Sequence, residues 1–175
     1  TVADNGLVQA DGSGLIITLG SVGTGRGTVH LTTGGKAQFD TLNLGGWAAG
    51  SAGSIGEAIV ESGGQLSSKG GNVGGFAGAL GKVTVTGAGS RWDHTNQLTL
   101  GYEGRGEMTV SAAGEVGSQS AIIASNPGST GTATVTGSNS KWTNTQHLFV
   151  GNRGVASLFV QSGGEVGTGS LSVGP

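Results

Sequence analysis

The sequence predicts an all-β fold, a right-handed parallel β-helix of stacked coils about 25 residues long. Three observations predict it. The chain matches itself without gaps at an offset of 50. A small-residue marker recurs at half that offset. Each marker is followed by an apolar pair at strand spacing.

At the 50-residue offset Gly81 falls on Gly131, Thr84-Val85-Thr86-Gly87 on Thr134-Val135-Thr136-Gly137, and Ser90 on Ser140. Trp92 falls on Trp142, Leu98 on Leu148, and Gly114-Glu115-Val116-Gly117 on Gly164-Glu165-Val166-Gly167. Of the 45 pairs between 81–125 and 131–175, 17 are identical, which excludes coincidence. The markers Gly27, Gly56, Gly81, Gly106, Gly131 and Ala156 lie 29, 25, 25, 25 and 25 residues apart, so the longer period holds two related halves.

Two and four residues after each marker come Val29/Leu31, Ala58/Val60, Val83/Val85, Met108/Val110, Ala133/Val135 and Leu158/Val160. Alternation with period two is the signature of a strand with one buried face. This predicts Val85, Val110, Val135 and Val160 in one interior column. A second strand ends each unit, as in Leu42/Leu44-Gly45, Leu98/Leu100-Gly101 and Leu148/Val150-Gly151. A third inward position is read at Phe39, Leu66, Trp92, Val116, Trp142 and Val166, where large and small residues alternate as in a close-packed column. Glycine pairs such as Gly34-Gly35 and Gly63-Gly64 supply corners. The reading is one domain, 1–175, with repeats 21–45, 46–74, 75–101, 102–124, 125–151 and 152–174 and three short strands in each. A β-propeller is set aside because the two halves of the period share one pattern and the chain is too short for enough blades.

Composition removes several classes. The net charge is −2, with 8 Lys and Arg against 10 Asp and Glu, so a nucleic acid finds no basic surface. There are no cysteines, which removes disulfides, thiol chemistry and cysteine-bound zinc. No apolar run approaches membrane-spanning length. Glycine, at 39 residues, lacks the every-third-residue period of collagen.

The unit Val83-Thr-Val-Thr-Gly-Ala-Gly-Ser-Arg-Trp92, followed by Leu98-Thr-Leu-Gly101 and Gly104-Arg-Gly-Glu-Met-Thr-Val110, resembles the repeat of bacterial autotransporter (type V secretion) passenger domains. A second copy runs from Ala133 to Gly151. The resemblance spans essentially the whole chain and is clearest over 81–175. It implies export, passage through an outer-membrane barrel, and display at the bacterial surface or release outside the cell. It also implies adhesion or self-association, with a host-surface protein, a glycan or another copy of the chain as partner. Membrane attachment would run only through a barrel that this sequence lacks. Thr1 begins partway through a coil and Gly174 completes a strand-ending motif, so the expectation is a piece of a longer passenger with open strand edges. An inert stalk and a secreted effector for a host receptor are the alternative readings.

The candidate ligand-binding residues are Trp47, Phe76 and Tyr102, each one or two residues past a strand-ending glycine. In successive coils they are expected at one corner, where a loop aromatic on a rigid scaffold grips a sugar face or a protein. Trp92 and Trp142 are expected in the core. Phe149 and Phe159 fall at outward positions and are candidates for a second apolar patch. Arg91 and Lys141 align and could form a small basic row, although a solvated face is the default for such charges. No enzyme activity, cofactor or metal is expected. The histidines His30, His94 and His147 are separated, the aspartates Asp4, Asp11, Asp40 and Asp93 are dispersed, and no Gly-x-Ser-x-Gly elbow occurs.

Overall fold

A computed structural model describes residues 7–8, 16–21 and 23–174; Thr1, Asp4 and Asp11 lie outside these. The described residues form 14 strands and no helix. Strands β1 (Leu7–Val8) and β2 (Ile16–Leu19) both pair with β4 (Lys36–Leu44). From β3 (Arg26–Leu31) onward, short and long strands alternate. The short ones continue as β5 (Ile55–Glu61), β7 (Leu80–Thr86), β9 (Arg105–Ser111), β11 (Thr130–Thr136) and β13 (Val155–Gln161). The long ones continue as β6 (Gln65–Val73), β8 (Arg91–Leu100), β10 (Glu115–Ile123), β12 (Lys141–Val150) and β14 (Glu165–Val173). Each series stacks in order into its own parallel sheet, so the chain is a β-solenoid.

Each coil has two continuous strands rather than the expected three. The second and third expected strands are the two halves of one long strand. They bend at a register shift, for example between Ser118 and Ala121 where β10 meets β12. Coil-to-coil hydrogen bonding persists on both sides of the bend, so the strand turns a corner without ending.

The short strands bury alternate residues, and Leu31, Val60, Val85, Val110, Val135 and Val160 share one register column. Val85, Val110 and Val135 are fully buried, whereas Val160 is 47% exposed because its coil is stacked on one side only. Val173 and Leu171 in the same coil are exposed for the same reason. Trp92 and Trp142 are buried in a column with Ala37, Leu66, Val116 and Val166. Phe39 is not in that column. Ala37 holds its place, and Phe39 falls in the next inward column, opposite Ser68. The Trp92 indole needs more room than one rung gives, so its vertical neighbours are the smaller Leu66 and Val116.

Two kinds of coil alternate. After β5 come a three-residue corner, nine strand residues and a six-residue closing corner. After β7 the same elements take four, ten and four residues. Both distributions give coils of 25 residues, which hides the difference from a count of spacings. In the three-residue type, Gly64 N–H donates to the Glu61 carbonyl at 2.9 Å, and Ser62 and Gly63 both have positive φ. That is the geometry of a type I′ turn. The four extra residues of the first marker spacing lie in the closing corner 45–54, which carries Trp47.

Side chains tie the two kinds of coil together in both directions. The buried Ser90 and Ser140 hydroxyls accept the backbone N–H of Gly63 and Ala113 in the preceding coil, each at 3.1 Å. In return the Trp92 and Trp142 indole N–H groups donate back to Ser68 Oγ and Ser118 Oγ at 3.0 and 3.4 Å. Each bond satisfies a group whose burial without a partner costs about 1–3 kcal/mol. The structural unit is therefore a pair of coils, which accounts for the 50-residue period.

Candidate functional site

The closing corners carry the three aromatic candidates on adjacent coils. Gly74, with φ of 77°, turns the chain out of β6, and Gly45 and Gly101 do the same out of β4 and β8. Only glycine takes this conformation without steric cost. The longer loop after Gly45 lays the Trp47 indole over Gly75, where an added Cβ would meet the ring at 2.8 Å. The ring reaches Tyr102 two coils away, with centroids 5.2 Å apart and planes tilted by 45°. Tilted ring pairs of this separation contribute about 0.5–1.5 kcal/mol beyond their area. Phe76 is half-buried on the intervening corner. Trp47 remains 47% exposed, so the corner presents a pinned indole to solvent.

The loop beneath Trp47 is fixed from within. Ser51 Oγ donates toward the carbonyls of Ser21 and Ala48, at 2.6 and 2.7 Å. Further along the same edge, Asn126 and Asn152 stand on the corners after β10 and β12. The aromatic character is confined to the corners following β4, β6 and β8.

The basic row that the alignment of Arg91 with Lys141 allowed does not form. Glu115 stands between Arg91 and Lys141 in the register, since it pairs with both. Arg91 donates to Glu115 at 2.8 Å and to Asp93 at 2.7 Å. Lys141 lies 3.5 Å from Glu165. Strand stacking sets unlike charges on neighbouring rungs, and these partners raise the Arg91 pKa through the Asp93 hydrogen bond first, against the opposing effect of burial. Phe149 and Phe159 project from different sheets and make no common patch.

The interior holds a polar column that sequence reading missed. Ser68, His94, Ser118 and Asn144 are all buried in consecutive register, next to the tryptophan column. His94 Nε2 lies 2.9 Å from the Gln97 carbonyl, which can only accept, so Nε2 carries the proton. Nδ1 then accepts from Ser68 Oγ at 2.8 Å, and Ser68 accepts from Trp92. Burial lowers the His94 pKa to about 4, with the Gln97 hydrogen bond opposing the shift. The signal was in the sequence as Trp92-Asp-His94 and Trp142-Thr-Asn144, with Leu66-Ser-Ser68 and Val116-Gly-Ser118 one coil earlier. Period-two alternation puts a residue two positions from an inward tryptophan on the inward face as well, but a polar residue type there argues for solvent, and the two signals conflict.

Among the described residues no three His, Asp or Glu side chains gather as metal ligands would. Several acidic groups at the surface are drawn into ion pairs, as in Glu107 with Arg105 and Glu115 with Arg91, and Glu61 lies within hydrogen-bond distance of His30 Nε2.

Fold and corner together define a parallel β-solenoid with an exposed aromatic platform. No protein-family model, curated protein or solved structure matches the chain.

Proposed function

We propose that this solenoid is a segment of a passenger-type protein that works outside a bacterial cell as an adhesin, at the cell surface or after release. The Trp47–Tyr102 corner is its contact point with a host-surface protein or glycan, or with another copy of the chain. The observation that carries the reading is the half-exposed Trp47 ring, held over Gly75 and against Tyr102 on a scaffold with parallel hydrogen bonding throughout. An aromatic held in place loses little conformational entropy on binding, which is what a contact residue needs. The repeat resemblance supports the extracellular setting. The reading is non-catalytic, supported by the ion-pairing of Asp93, Glu107, Glu115 and Glu165 along the rungs.

Beads coated with the chain, exposed to host cells, matrix proteins and to each other, test the proposal. Trp47→Ala is expected to lower adhesion at least tenfold while lowering stability by only about 1 kcal/mol, the contribution of its contact with Tyr102, so that the chain stays folded. Adhesion unaffected by Trp47→Ala would overturn the assignment of the corner. No adhesion by the parent chain to any of these surfaces would favour an inert stalk.

A further inference from the structure

Away from the aromatic corner, the outer face of the first halves of the long strands carries a trough that runs along the axis. Its wider part, about 620 Å3, includes Thr95, Gly117, Gln119, Thr143 and Thr145. Its narrower part, about 250 Å3, includes Lys36, Gln38 and Gln65. The two share Ser67, Arg91 and Asp93 and are therefore continuous. Register carries the trough from the rung of Lys36 through those of Gln65, Arg91 and Glu115 to that of Lys141. At strand spacing this is a length on the order of 19 Å.

Gly117 makes the depression. It sits in β10 between Asp93 and Thr143 in register, where the neighbouring rungs have side chains. Its backbone does not require glycine, because it is not among the residues with positive φ. Nor does packing require it. An added Cβ would meet only Asp93 Oδ1 at 3.0 Å and Arg91 Nη2 at 3.9 Å, both side-chain ends. A glycine inside a strand weakens it and commonly marks a bulge, a tight bend or the close approach of a ligand or another backbone. Gly117 stands one residue before the register shift that begins at Ser118 and recurs as Gly167 one period later, so it belongs to the bend of the repeat, and on β10 it leaves open space above the strand.

The groups around the opening are pre-set. Asp93 Oδ2 accepts from Arg91 Nε at 2.7 Å, which turns Oδ1 toward Gly117. Arg91 Nη1 is taken by Glu115 at 2.8 Å, which leaves Nη2 near the same opening. A fixed acceptor and a fixed donor thus face one hollow, with threonine hydroxyls and the Gln119 amide beside them. The ligand chemistry follows. An extended peptide would find no free backbone ladder, because the strands that floor the trough are paired on both edges. A polyanion would meet Asp93 and Glu115, and a polycation would meet Arg91. A neutral polymer of hydroxyl groups matches alternating donors and acceptors and suffers neither repulsion.

We propose that this trough binds a linear neutral oligosaccharide along the solenoid axis, with Asp93 and Arg91 as the fixed hydrogen-bonding pair and Gly117 as the opening that admits a sugar ring. The site is independent of the Trp47 corner.

The test is saturation-transfer NMR and titration calorimetry of the whole chain with cellotetraose, maltotetraose, mannotetraose, chitotetraose and, as the anionic control, tetragalacturonate. At least one neutral tetrasaccharide is expected to bind. Gly117→Leu, which fills the hollow, and Asp93→Ala, which removes the acceptor, are each expected to weaken that binding at least tenfold. Thr109→Ala, on the outer face of β9 in the other sheet, should leave it unchanged, which confines the effect to the trough. An unchanged thermal midpoint for Gly117→Leu would show that the loss is not unfolding. If none of the neutral sugars binds, if only tetragalacturonate binds, or if binding survives both trough substitutions, the proposal is wrong.

Discussion

The Trp92 and Trp142 coils are related by the 50-residue period, and each sends its indole N–H to a serine of the coil before. They finish that chain of hydrogen bonds differently. In the first, Ser68 donates onward to His94, whose far nitrogen donates to the Gln97 carbonyl. In the second, Ser118 donates to Asn144 Oδ1 at 2.5 Å, and Asn144 Nδ2 is buried with no partner. The imidazole spans to the carbonyl of the bend, and the shorter amide stops before it. The link between coils is thus common to both copies, while its completion is not. A repeat tolerates one missing hydrogen bond when the column above and below is closely packed.

The largest expected effect removes the shared part. Trp142→Ala leaves a cavity in a fully buried column and is expected to lower stability by about 3–5 kcal/mol. Chemical denaturation followed by circular dichroism measures it. A loss below ~1 kcal/mol would mean that the column collapses around the gap.

The next effect separates the two copies by pH. In the unfolded chain a histidine titrates near pH 6.5, whereas burial holds His94 at about 4. Between these values the unfolded state binds the proton and the folded state does not. The contribution of His94 to stability is therefore complete above pH ~6.5, falls as the pH drops toward about 4, and changes no further below that. The span corresponds to about 3 kcal/mol. His94→Asn copies the second relay into the first and is expected to remove this contribution. Urea midpoints of both proteins at pH 7.5 and 4.5 give the comparison, and an identical loss in each would remove His94 from the account.

The smallest effect runs the exchange the other way. Asn144→His places a ring nitrogen where the His147 carbonyl stands in for that of Gln97, one period earlier. It is expected to add about 1 kcal/mol at pH 7.5 by replacing the unpaired amide donor with a ring N–H that donates to the His147 carbonyl. It should also introduce a second acid-sensitive step like that of His94. A variant less stable than the parent at pH 7.5 would show that the bend of β12 leaves no room for an imidazole.

The coil length, the interior valine column and the buried tryptophans were legible because each repeats along the chain at strand or coil spacing. The shift of Phe39 was not, because it lies two residues beyond Ala37 on the same inward face, and alternation alone cannot say which inward column a residue joins. The ion-pair ladder was not legible for a related reason. Arg91 and Lys141 align at 50 residues, but the rung between them, with Glu115, comes from the other half of the period. For the candidate corner, glycine spacing located Trp47, Phe76 and Tyr102, and only the fold showed that Trp47 skips a coil to reach Tyr102.

Sequence by itself determined that the chain repeats, that each repeat contributes strands with one apolar face, and that such repeats bury that face only by stacking. These follow from local periodicity and hydrophobicity, which any one coil displays. Tertiary structure decided which groups meet between coils: Ser68 with Trp92 and His94, Ser90 with Gly63, Arg91 with Glu115, and the hollow over Gly117 beside Asp93. The physical reason is that a parallel ladder brings residues some 25 positions apart to about 4.8 Å. Whether a buried hydroxyl is satisfied or a surface glycine opens a site depends on what the neighbouring rung places there.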